Sequence, residues 1–227
     1  MHTMAMAART LVGAVACLLV AAPRPGAAQA GPACAAVADR GYDVSVRIEV
    51  PAPKLDRSQT RVALGGFAPH GPGQAILGVM RARLEVESTA TYGRVAGAGG
   101  VCIWVERVEV LLRYRSLDLF VAKEYAPASC AYRAILAHEQ QHAEIARTYV
   151  NRYAPRIRQA LASLLIPKAT KPVAAASRET AEAKVDAVLE RLVAPVVGEL
   201  EREMNKAQAA IDTPRSYQGV FRQCNDW

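Results

Sequence analysis

The hydrophobic period of this chain changes once, near Pro127, and that change fixes the class of fold open to it. Upstream, apolar and polar residues alternate. Val44, Val46, Ile48 and Val50 are interleaved with Asp43, Ser45, Arg47 and Glu49, the pattern of a strand with one buried face. Pro51 and Pro53 end it. A second short strand is predicted over 61–64, stopped by Gly65-Gly66, followed by a turn-rich loop at 67–73 and partly extended chain over 76–91. Residues 96–100 read as a flexible connection, 101–115 as a strand and 118–125 as its hairpin partner. The region 31–127 is thus expected to be a small antiparallel sheet.

Downstream the period becomes 3.6. Ser129 is a candidate N-cap. Ile135, His138, His142, Ile145, Tyr149, Tyr153 and Ile157 then fall on one helical stripe, with Pro155 expected to kink or end the segment. A linker over 167–177 leads to a second helix, from about Ser177 to Ile211. Its buried stripe is expected to be Val185, Leu189, Leu192, Val196, Glu203 and Ala207, with a bend at Pro195 and Gly198. The prediction is an α+β fold: an antiparallel sheet followed by a long antiparallel helical hairpin, with 128–227 as the helical part and 31–227 as one unit.

The first 30 residues stand apart. Arg9 precedes an apolar run from Leu11 to Ala22, Pro23 and Pro25 break it, and Ala28-Gln29-Ala30 is a small-x-small cleavage site. This predicts a secretory signal cut after Ala30, and hence a secreted or periplasmic chain. The rest of the sequence holds no span long and apolar enough for a bilayer. Cleavage would remove Cys17 and leave Cys34, Cys102, Cys130 and Cys224. An even number in an exported chain suggests two disulfides. The ends of a helical hairpin should meet, which favours Cys130–Cys224 and, by elimination, Cys34–Cys102. The net charge of +7 is scattered among acids, without an aromatic-interleaved basic patch, so nucleic-acid binding is not expected.

The chemistry lies in residues 138–142, His-Glu-Gln-Gln-His. Residues four apart share a helix face, so His138 and His142 can turn one ring nitrogen each toward a single zinc ion. Glu139 lies about 100° around the helix from His138, beside the metal rather than on it, where it suits a general base. The chain has only 4 histidines, and two of them stand at this spacing.

The His-Glu-Gln-x-His helix, continued by Glu144 and Ile145, resembles the zincin metallopeptidases. With the export signal, the extended region before it and a tail reaching Asp212-Thr213, it is most similar to a family of small secreted bacterial proteins classed as predicted zinc-dependent proteases of undefined function. The resemblance implies a hydrolase with Zn2+ as cofactor and a peptide or protein as substrate. In that family a histidine commonly follows the Asp/Thr pair. Here the tail reads Asp212-Thr-Pro-Arg-Ser-Tyr217, so no role for it is carried over.

A catalytic zinc needs a third protein ligand. Folding the hairpin about 171–172 sets His142 opposite about residue 201 and His138 opposite about 205. Glu203 falls between them and interrupts an apolar stripe, which makes it the first candidate, with Glu199, Asp212 and His70 as alternatives. Tyr149, Tyr153 and Tyr217 are candidate oxyanion donors, the first two better placed for packing. The function expected is amide hydrolysis, with a non-catalytic exported binding module, its metal site structural or vestigial, as the alternative.

Overall fold

A computed structural model describes residues 41–67, 76–97, 100–163, 173–175, 178–225 and 227. Residues 1–30, expected to be a signal, together with Cys34 and His70, lie outside the described residues. The sheet is built on one long strand, β4 (Gly100–Val121), which pairs along its whole length with β3 (Gly78–Gly97) in an antiparallel hairpin. The opposite edge of β4 carries three shorter strands. β1 (Asp43–Glu49) and β2 (Lys54–Asp56) run parallel to it, and β5 (Val173–Ala175) runs antiparallel at its start. The sheet is therefore mixed, and the expected antiparallel arrangement holds for β3–β4 and β5 only.

β1 and β2 are one interrupted edge strand. Asp43 lies opposite Arg107 and Asp56 opposite Phe120, the same offset at both ends. Pro51 and Pro53 occupy the gap, where a residue without an amide hydrogen is tolerated because the strand is at an edge. β2 ends and β3 begins at the same end of β4 but on opposite edges. The chain crosses between them through α1 (Arg61–Gly65). The strand expected over 61–64 is thus a helix. The Thr60 hydroxyl accepts from the Ala63 amide at 3.1 Å, and Leu64 anchors the turn in a small core with Val79 and Phe120.

β4 is also longer than its sequence suggests. Two irregularities each place an extra residue on β4, one opposite Ala82–Leu84 and one opposite Thr91–Tyr92. Each reverses which side of the strand faces inward. Leu117 and Leu119 point to the core, then Val108, Val110, Leu112 and Tyr114, then Ile103. The break in alternation at Arg115-Ser116 looks like a turn in the sequence; it is a bulge, and 118–121 continues the same strand. The true hairpin partner is β3.

Two long helices cover the inner face: α2 (Cys130–Ala162) and α3 (Arg178–Ile211), followed by the short α4 (Pro214–Phe221). Ser129 caps α2 by accepting from the Tyr132 amide at 3.0 Å. Ala143, Ala146, Val150, Tyr153, Ile157 and Leu161 of α2 meet Leu189, Val193 and Leu200 of α3 over the β4 core residues. Sheet and helices thus share one core. α2 continues through Pro155 and α3 through Pro195. Both prolines are exposed, as are Asn151 and Arg191 one turn earlier, so water can satisfy the carbonyls they leave unpaired. Among the described residues no helix is long and apolar enough to cross a membrane.

Candidate metal centre

The first turns of α2 present two different faces. Tyr132, Ile135 and Glu139 follow one another toward the sheet, where Tyr132 and Ile135 join the core around Val121. His138 and His142 lie about 100° around the helix and face the end of α3. All three polar residues are buried, at 6%, 4% and 8% exposure for His138, Glu139 and His142.

Asp212, the residue after α3, brings the histidines together. Its Oδ1 lies 3.2 Å from His138 Nε2 and 3.1 Å from His142 Nε2. The Tyr217 hydroxyl, from α4, donates to the same oxygen at 3.1 Å, and the Tyr217 ring lies 5.3 Å from that of His138. The three ligand atoms of His138, His142 and Asp212 lie within 4.8 Å of one another. Corners of a zinc tetrahedron with bonds of about 2.0–2.1 Å stand about 3.3 Å apart. The nitrogen–oxygen separations match that spacing, so two imidazoles and a carboxylate could grip one small divalent ion.

Gln208, one turn before Asp212, holds His142 in place. Its Oε1 accepts from His142 Nδ1–H, and its Nε2 donates to the His142 carbonyl at 3.0 Å. A ring whose Nδ1 carries the hydrogen offers Nε2 as its ligand nitrogen. Gln208 was not among the candidates drawn from the sequence. Its one signal was position, four residues before Asp212 on the same face of α3.

Glu203, the first candidate for third ligand, is exposed and stands outside this cluster. The difference is one of register. The linker after α2 enters the sheet as β5 instead of turning tightly, so α3 starts beyond the end of α2. His142 consequently meets Gln208 rather than residue 201, and Tyr153 meets Glu199. The inward stripe of α3 runs through Leu200 and Met204, which leaves Glu203 to the side. Glu199 accepts from Arg156 at 2.8 Å and from Tyr153 at 3.3 Å, an ion pair away from the histidines. Tyr149 and Tyr153 pack against the core, the placement expected from their helical stripe.

Glu139 occupies a space that Gly78 leaves open. A β-carbon on Gly78 would lie 2.8 Å from Glu139 Oε1 and 2.6 Å from Ile135 Cγ2. Leu77 bonds inward to Ala122, so by alternation Met80 turns its amide away from β4, and the Glu139 carboxylate accepts from it. Burial pushes the Glu139 carboxyl up to about 7, against the opposing pull of His142 and His138. Asp212 is the more exposed member. Burial alone would raise its pKa, but hydrogen bonds from His138, His142 and Tyr217 hold it well below the usual carboxylate range. For His142, burial pulls downward and is outweighed by hydrogen bonds to Asp212 and Gln208, so its pKa lies above the ordinary value. Burial and the Asp212 charge keep the Tyr217 phenol protonated.

α4 lies across this site. Thr213 caps it, accepting from the Ser216 amide at 3.1 Å, and the Cys130–Cys224 disulfide ties its far end to the first residue of α2. That pairing is the one expected from the hairpin. Cys102 is also disulfide-bonded, and the partner expected for it, Cys34, lies outside the described residues. Comparison with family models, curated proteins and solved structures found no match to this chain.

Proposed function

We propose that this chain is an exported zinc-dependent hydrolase, a peptidase that cleaves amide bonds, with His138, His142 and Asp212 as metal ligands and Glu139 as general base. One observation carries the reading: both Nε2 atoms approach a single Asp212 oxygen while a buried carboxylate stands beside them. Two imidazoles and one carboxylate are a donor set that suits catalytic zinc and leaves a position for water or substrate. Zinc held there supplies Lewis acidity, acidifying water toward neutral pH and polarising a carbonyl.

The rest is the work of the chain's own groups. Glu139, with a pKa of about 7, can take a proton near neutrality and return it to a leaving amine. Gln208 fixes the ring of His142, and the protonated Tyr217 hydroxyl is available as a donor at the edge of the site. A purely structural site in an exported binding module has no use for an ionisable group sealed at Glu139, where burial costs stability. The Cys130–Cys224 bond and the bonded Cys102 agree with an oxidising compartment, as the signal-like N-terminus requires.

Metal analysis tests the centre. Purified protein should carry about one zinc per chain, and His138→Ala should lose it. Glu139→Gln should keep the metal and abolish hydrolysis of a mixed peptide library. Protein that takes up no zinc overturns the reading; undiminished hydrolysis by Glu139→Gln overturns the assigned base.

A further inference from the structure

α4 buries none of its own residues. It is held through the residues that flank it and through Tyr217, its fourth residue. At one end Asp212 meets the two histidines, braced by Tyr217. At the other, Cys224 is bonded to Cys130, Trp227 lies 6.3 Å from Tyr125, and the Trp227 indole donates to the Phe221 carbonyl at 2.8 Å. From Cys130 to His138 is about 12 Å along a helix axis. The 8 residues of α4 span the same length in the opposite direction. The helix is a strap over the first turns of α2, with the metal ligands under one end and the disulfide at the other.

We infer that the Cys130–Cys224 disulfide is a positioning element of the metal centre, so that metal occupancy and the redox state of this bond are coupled. The inference rests on His138, His142 and Asp212 being a metal site. No residue from Asp212 to Gln223 is buried: Asp212 is exposed, and the tyrosine that braces its Oδ1 is carried by the strap. The disulfide fixes the strap's distal end across a sequence separation of 94. A dithiol reductant opens it by exchange. One reductant thiolate attacks a cysteine sulfur, the other cysteine leaves as thiolate, and the second reductant thiol closes the reductant's own disulfide. Two electrons and two protons pass to Cys130 and Cys224. With that anchor gone, Tyr217 is no longer held on Asp212, and binding a metal must first order the segment, which weakens it. Coupling is reciprocal: a metal that fixes Asp212 keeps the two sulfurs together and makes their bond harder to reduce by the same factor.

The test has two arms on the full chain. In the first, the double variant Cys130→Ser/Cys224→Ser, which creates no thiolate to bind metal itself, competes with a chromophoric chelator for zinc. Its dissociation constant should rise about tenfold over oxidised wild type, with unchanged far-ultraviolet circular dichroism; equal affinities overturn the inference. The second arm needs no cysteine variant and stands even if the first misfolds. Wild type with and without zinc is exposed to dithiothreitol, and free thiols are alkylated and located by mass spectrometry. Zinc should slow opening of Cys130–Cys224 and raise its resistance about tenfold, some 30 mV for a two-electron couple, while the bond at Cys102 opens at one rate in both. Asp212→Ala should erase the difference. Zinc that binds without protecting Cys130–Cys224 overturns the coupling alone; oxidised wild type that binds no zinc overturns the metal site with it.

Discussion

Gln208 grips His142 at two points, taking the Nδ1 hydrogen with its Oε1 while its Nε2 donates to the His142 carbonyl. The grip sets both the rotation of the ring and which nitrogen is left for a metal. Removing such an outer partner typically costs 10- to 100-fold in metal affinity. Gln208→Ala should therefore weaken zinc binding by about that factor while the protein stays folded, because Gln208 is only half-buried and outside the apolar core. Chelator competition gives the affinity and circular dichroism the fold. An unchanged affinity would leave His142 positioned by its helix alone.

The contact between Gly78 and Glu139 makes a different demand. The β-carbon of Gly78→Ala would meet Ile135 Cγ2 at 2.6 Å, Glu139 Oε1 at 2.8 Å and the Phe120 carbonyl at 2.9 Å. The last of these is backbone in the central strand and cannot swing aside. The variant should lose about 1–3 kcal/mol of stability, read from denaturant midpoints, through overpacking. On the proposed reading, hydrolysis should fall more than zinc content, because the collision displaces Glu139 and leaves His138, His142 and Asp212 in place.

How far the sequence discloses this site follows from what each feature depends on. His138, Glu139 and His142 are set by local helical spacing, and the periodicity places them on α2 without knowledge of the rest. Cys130–Cys224 follows from the closure of a hairpin. Asp212 is different: its place depends on how many residues the linker consumes, and β5 consumes them by pairing with residues 101–103. The parallel edge of β1 and β2 was equally hidden. Direction depends on the path through α1 to the far edge of β4, and alternation reads the same either way. The two bulges then disguised one strand as two.

The choice between Asp212 and Glu203 can be made directly. Asp212→Ala removes the only carboxylate that contacts both histidines among the described residues, and it should reduce zinc stoichiometry toward zero. Glu203→Ala changes an exposed side chain and should leave the stoichiometry unchanged and the stability within about 0.5 kcal/mol of wild type. The opposite pattern in metal analysis would restore the register in which the hairpin turns at 171–172 and would remove Asp212 from the centre.

Glu139 gives the metal-free protein a characteristic response to pH. Its carboxyl is raised from 4.5 to about 7 in the folded chain, chiefly by burial. Folding therefore favours the protonated form. The stability this contributes is complete below pH 4.5 and is lost as pH rises through about 7. The loss is about 3 kcal/mol once both states are ionised. His142, raised by its hydrogen bonds to Asp212 and Gln208 against the pull of burial, adds a decline of the same sign above its ordinary 6.5. Glu139→Gln removes the first outright and also weakens the second, because the Glu139 charge is one of the groups that raise His142. Chelator-treated wild type should lose thermal stability between pH 5 and pH 8, and Glu139→Gln should lose less, so that above pH 7 the variant is the more stable of the two. Melting curves of both proteins across that range measure the difference. Parallel curves with no crossover would mean that the Glu139 carboxylate is hydrated, and a hydrated carboxylate could not serve as a base with a pKa near neutrality.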